Sequence, residues 1–160
     1  MLDTHQQGFA KLVAMIEALD VGMLTTADRS RTLRSRPMAT QSAENGELCF
    51  FTSEESPKIA EIGKDAHVNV SYADPNNQTY VSVSGIARTS HDTARIKELW
   101  SERVRRWFPK GPDDPRLALL TVEISQAEYW DVDAGAMVNL VDRGASAEEI
   151  IAATDHRKMA

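Results

Sequence analysis

One cysteine, Cys49, is the whole thiol content of this chain of 160 residues. No intramolecular disulfide can form, and the paired-cysteine spacings of zinc ribbons and dithiol enzymes are excluded. The surrounding ELCFF is apolar, which raises a thiol pKa and leaves the group inert. Histidine is scarce as well. His5, His67, His91 and His156 are scattered with no HxxxH or HExxH pair, so no protein-bound metal is expected. His67, set among alternating apolar residues, reads as a half-buried strand histidine. The chain has no GxSxG elbow, Walker loop or GxGxxG fingerprint, which removes motif support for hydrolase, nucleotide-phosphatase and dinucleotide-fold readings. No apolar run approaches the roughly 20 residues that span a bilayer. The opening MLDTHQQGFAKLVAMIEALD lacks a basic leader and a cleavage site, so a cytoplasmic location is expected. Positive charge is also short. Lys and Arg number 18 against 24 Asp and Glu, giving a net charge of -6 and a pI near 5.2. Neither nucleic acid nor an anionic membrane is an expected partner.

What is present suits a folded core. Hydrophobic residues make up 42%, and no linker, repeat or shift of composition divides residues 1–160, so a single domain is expected, with a flexible tail from about residue 154. Phe9, Leu12, Val13, Ile16 and Leu19 recur at helical spacing and predict an amphipathic helix over 4–19. VGMLTT, TLRSRPMATQ and ELCFFT read as strands, with Pro37 marking a sheet edge or a bulge. Ser56 and Pro57 open a short helix as N-cap and first-turn residue. AHVNVSYA and QTYVSVSGIARTS alternate with period two around DPNNQ and predict a hairpin. Ser90 or Asp92 caps a helix whose stripe is Ile96, Leu99, Trp100, Val104 and Trp107, while Arg103, Arg105 and Arg106 cover its flanks. RLALLTVEI and AEYWDVD read as two further strands, and ASAEEIIAA as a last helix. Short antiparallel strands with few helices indicate α+β, and about seven strands in so short a chain favour a closed barrel.

The stretch from Thr32 to Gln41 carries the chemistry. On an extended chain Arg34, Arg36, Met38 and Thr40 share one face, and the two guanidinium groups stand roughly 7 Å apart. Thr52, Ser56 and Lys58 follow at the next strand end and helix start, where exposed amides and a partial positive charge favour a phosphate. Each residue alone reads as ordinary surface; their convergence around one hairpin predicts an anion site.

In VGMLTT, RSRPM, LCFFTSEESPKIAEI, YVSVSGIA, WFPKGPDDP and EYWD, taken in order, the chain resembles the flavin-binding split barrels related to pyridoxamine 5′-phosphate oxidase, and among them the bacterial general stress proteins. The resemblance runs from the first helix to about Asp133. It implies a six-stranded antiparallel split β-barrel with flanking helices, forming a homodimer that holds FMN, or the larger FAD, at the subunit interface. It further implies that Arg34, Ser35, Arg36, Pro37 and Met38 line the ribityl and ring side, that Phe50, Phe51 and Thr52 continue the wall, and that Ser56 and Lys58 hold the phosphate. Tyr80 is carried over as a flavin neighbour, and Trp107 and Trp130 as aromatics reaching the ring from the partner. The Arg-Leu-His segment of the vitamin B6 oxidases is missing after Trp130, so that activity is not expected. The implied function is a flavin-binding general stress protein, either a redox enzyme linked to NAD(P)H or another substrate, or a non-enzymatic scaffold or flavin sensor. Some relatives use F420 instead, and others bind haem through a C-terminal histidine, for which His156 would serve.

Overall fold

The computed structural model describes residues 4–143 and begins with α1 (Thr4–Leu19). Leu12 and Ile16, one turn apart, are fully buried, so the predicted stripe is the packed face. Seven strands follow: β1 (Val21–Ala27), β2 (Leu33–Glu44), β3 (Glu47–Ser53), β4 (His67–Asp74), β5 (Thr79–Ser90), β6 (Leu117–Asp131) and β7 (Ala136–Asp142). Two short helices, α2 (Pro57–Lys64) and α3 (Thr93–Leu99), interrupt them. The expected helix over ASAEEIIAA, the tail and His156 lie outside the described residues.

All pairings are antiparallel, in the order β3-β2-β1-β4-β5-β6-β7, and a further β3–β6 pairing closes six strands into a barrel. β6 makes that closure. Along one edge it pairs with β5; along the other it pairs first with β3, over Leu117–Glu123, and then with β7, over Gln126–Asp131. The α+β barrel expected from strand density is therefore the fold, with β7 as an extra strand. The interior is filled by alternating residues such as Leu24, Leu48, Phe50, Val70, Val83, Leu120 and Val122, each fully buried. The β2–β3 connection is Asn45-Gly46 with both residues at positive φ, 56° and 76°, the conformation a two-residue hairpin turn needs and an Asn-Gly pair supplies. A smaller second core of Cys49, Ile96, Val104, Phe108, Leu117 and Leu119 lies under α3 and the segment after it.

Three local expectations are corrected. RLALLTVEI and AEYWDVD form one continuous strand, β6; Ser125-Gln126, between the two expected strands, lies where β6 changes partner from β3 to β7. The helical stripe ending in Trp107 is broken, because Trp100 (ψ 137°) and Ser101 are extended and the chain resumes as a 3₁₀ segment, Glu102–Arg106. Val104 and Phe108 still turn inward, but Trp107 points out at 60% exposure. His67 is exposed at the start of β4, beside Asp65 at 3.0 Å, not half-buried. Asp92, not Ser90, caps α3 by accepting from the Arg95 amide. Among the described residues no helix is long and apolar enough to cross a membrane.

Candidate functional site

The site begins where two paired strands part. β2 and β3 are in register from Glu44↔Glu47 to Thr40↔Phe50, with a bulge between Thr40 and Ser42, and beyond that point no pairing joins them. Pro37, which cannot donate a ladder hydrogen bond, sits on the unpaired side. The gap is a groove of about 630 Å³, within the size range of small-molecule sites. One wall is Pro37, Met38, Ala39 and Gln41 of β2; the opposite wall is Phe51, Thr52 and Ser53 of β3. Val104, Trp107 and Phe108 form the flank outside the sheet, and Ser56, Lys58 and Arg116 close one end. No carboxylate or histidine lines the groove among the described residues.

The closed end is cationic. Ser56 precedes α2 as expected, but its hydroxyl makes no capping bond; it accepts from Lys58 Nζ at 2.8 Å, and Thr52 Oγ1 accepts from the same ammonium at 2.9 Å. Lys58 is half-buried. Burial lowers its pKa, the nearby Arg36 charge lowers it further, and Glu61 opposes both. Among the described residues no carboxylate pairs with it. Arg116 reaches the groove from the loop before β6, where the buried Asp114 accepts from its backbone N, Nε and Nη2 at 3.0, 3.3 and 3.1 Å. Those hydrogen bonds, foremost the side-chain ones, hold the Asp114 carboxyl below its usual range.

Arg34 and Arg36, placed by the resemblance on the ligand side, lie elsewhere. They do share the inward-turned face of β2 with Met38, but that face meets α2 at their level. Arg36 Nη2 donates to Glu61 Oε2 at 3.1 Å and Nη1 to Thr26 Oγ1 at 2.6 Å, while Arg34 Nη1 donates to Glu61 Oε1 at 3.4 Å. The Thr26 hydroxyl also donates to Glu61. That bond is the main reason Glu61, though buried, stays below the ordinary carboxylate range; Arg36 and Arg34 add to it and burial opposes. The two arginines thus clamp α2 to the barrel, which fixes the helix turn bearing Lys58.

Of the other expected residues, Pro37, Met38, Phe51, Thr52, Ser56, Lys58 and Trp107 are brought together on the groove. Ser35 is exposed on the outer face of β2 and does not line it. Phe50 is fully buried in the barrel core, because alternation along β3 turns it opposite to Phe51. Tyr80 and Trp130 are exposed on the outer faces of β5 and β6, away from the groove in the single chain. Sequence reasoning missed Val21, Ala39, Gln41, Ser53, Val104, Phe108 and Arg116 as groove residues. Only Arg116 had a local signal, the Asp-Pro-Arg after a turn-rich loop.

Comparison with known proteins fits this architecture. The sequence profile described as "Pyridoxamine 5'-phosphate oxidase like" matches residues 7–148. Protein bli-3 of Neurospora crassa is 31% identical over 142 residues, covering 80% of this chain and 68% of that protein. General stress protein 26 of Bacillus subtilis is 29% identical over 116 residues, 71% of this chain and 81% of its own. Among solved structures, the general stress FMN/FAD binding protein of Xanthomonas citri superposes with a TM-score of 0.68 at 28% identity, covering 78% of this chain and 89% of that one. With the profile spanning almost every described residue and the closed barrel behind it, the chain belongs to the pyridoxamine 5′-phosphate oxidase-like family, alongside its general stress proteins.

Proposed function

We infer that this protein binds a flavin, with FMN as the fitting form, in the groove between β2 and β3. The observation that carries the reading is Lys58: a half-buried ammonium held by two hydroxyls, with no carboxylate partner among the described residues. A doubly charged phosphate matches that end, with Arg116 as a second cation. The apolar walls of Pro37, Met38, Phe51 and Trp107 suit a planar ring system. The Xanthomonas relative, a general stress FMN/FAD binding protein, supports a flavin. A flavin held there would supply reversible electron transfer. The chain's own part is to anchor the phosphate, cover the ring and exclude water; among the described residues its groove is lined by no carboxylate or histidine for proton transfer. This fits an oxidoreductase whose chemistry resides in the cofactor.

The second copy of the chain belongs to the same proposal. Strand register places Met23 opposite Pro37 and Ser71, Ala73 opposite Tyr80, and Trp130 opposite Met137. All are exposed, giving an outer sheet face of apolar and small side chains that runs into the groove at Pro37. Four large exposed hydrophobics on this face, Met23, Tyr80, Trp130 and Met137, are side chains that a second copy would cover. A homodimer packed on it would bring Tyr80 and Trp130 of each copy within reach of a groove. The purified protein should be yellow, or should quench added FMN fluorescence, and mass spectrometry should identify the released ligand. A colourless protein that leaves FMN fluorescence unchanged overturns the reading.

A further inference from the structure

Two carboxylates are buried among the described residues: Glu61, which clamps α2, and Asp114, whose side chain is fully closed to solvent. A buried carboxylate is costly unless it is paired and hydrogen-bonded. Asp114 meets Arg116 with both oxygens. Oδ1 accepts from the Arg116 backbone N and from Nε, at 3.0 and 3.3 Å, and Oδ2 accepts from Nη2 at 3.1 Å. The aspartate is itself fixed by its backbone, its N donating to Gly111 O and its O accepting from Leu117 N, both at 3.0 Å. The Arg116 side chain is half open to water, so this fork, not packing, sets its direction. The Arg116 carbonyl accepts from the Glu54 amide at 2.8 Å, one residue beyond the Ser53↔Leu117 pair. Arg116 therefore stands at the extremity of the groove wall made by Phe51, Thr52 and Ser53.

The donors left over at that end describe the group they suit. The fork uses two of the five guanidinium N–H groups, and among the described residues the other three have no acceptor. Lys58 keeps one N–H, and Thr52 and Ser56, which accept from it, each keep an O–H proton. A terminal phosphate monoester offers three peripheral oxygens and close to two negative charges. A phosphate joined onward to a second group keeps only two such oxygens and one charge. The donor set matches the first. On the flavin reading above, we propose that Arg116, positioned by Asp114, makes the closed end of the groove selective for a terminal phosphate, and so for FMN over FAD. Arg116 stands at the end of the groove where the adenylate of a dinucleotide would continue.

The test titrates FMN, FAD and riboflavin into the full chain by calorimetry, with methyl phosphate and dimethyl phosphate as a monoester and a diester that carry no flavin. FMN binds at least about tenfold more tightly than FAD, and methyl phosphate more tightly than dimethyl phosphate. Arg116→Ala weakens FMN about tenfold or more, changes riboflavin by less than about threefold and costs FAD less than FMN, so the preference collapses. Arg116→Lys, which keeps the charge and loses the fork, lies between. Asp114→Asn lowers the ratio of FMN to FAD affinity in the same direction; a folded Asp114→Asn protein with the parent's ratio removes the aspartate as the positioning residue. Equal binding of FMN and FAD by the parent protein, or an Arg116→Ala loss as large for FAD or riboflavin as for FMN, overturns the selectivity. A chain that takes no flavin yet prefers methyl phosphate, with the same Arg116 dependence, overturns the flavin reading alone; one that binds neither overturns both.

Discussion

Removing the Lys58 ammonium should discriminate between two flavins that differ only in a phosphate. An ammonium has three protons to donate. Thr52 and Ser56 take two of them at 2.9 and 2.8 Å, which leaves one for a ligand phosphate. A hydrogen bond to a charged group contributes about 1.5 to 3 kcal/mol, so Lys58→Ala should weaken FMN by roughly tenfold to a hundredfold. Riboflavin, lacking the phosphate, should change by less than about threefold, the scale of a few tenths of a kcal/mol in packing. Burial also matters to the size of the effect: a cation already partly stripped of water is screened less than a surface lysine. Quenching of flavin fluorescence gives both dissociation constants in one buffer. Equal weakening of the two ligands, or no change in FMN, would refute the placement of the phosphate at this end.

Other perturbations bear on the rest of the site. Phe50→Ala should cost about 3 to 5 kcal/mol of stability as a fully buried aromatic, whereas Phe51→Ala should weaken FMN with a much smaller fall in melting temperature; the reverse pattern would return Phe50 to the groove wall. Glu61 has a depressed folded pKa, so its stabilisation is complete above the ordinary value of 4.5 and disappears as pH falls through the lower folded value. Glu61→Gln should therefore flatten the decline of melting temperature between about pH 5 and pH 3, and an unchanged slope would count against the clamp. Met23→Glu, on the outer sheet face, should turn a dimer into a monomer by analytical ultracentrifugation and weaken FMN alongside; a monomeric parent protein would remove the second copy from the proposal.

How much of this could be read from residues alone divides along sequence separation. α1 and the β4–β5 hairpin announce themselves by periodicity, and the Asn45-Gly46 turn by its chemistry, because each is decided within one helix face or one strand pair. Lys58 with Thr52 and Ser56 was legible for the same reason: they lie within one strand-to-helix junction. The roles of Arg34 and Arg36 were not, since Glu61 in KIAEIGKD reads as any solvated helix carboxylate until the barrel brings it beneath β2. The break after Leu99 was equally hidden. The spacing of Val104 and Trp107 satisfies a helical stripe, yet Trp100 packs against Phe51, with ring centroids 6.2 Å apart, in an extended stretch instead. The position of Arg116 depends on a loop anchored by a buried aspartate; the Asp-Pro-Arg run marks the turn but not that burial.

The three partners of β6 bear on how a ligand could enter and leave. The β3 wall of the groove is laddered to residues Leu117–Leu119 at one end of that strand, and the same strand is tied to β5 along most of its length and to β7 at its other end. Fraying any single pairing leaves the others intact, so these amides should be the last to exchange with solvent, as one cooperative unit. Breathing that admits a bulky guest is left to the wall with no ladder of its own, the 3₁₀ stretch carrying Trp107, which would act as the gatepost of an otherwise rigid slot.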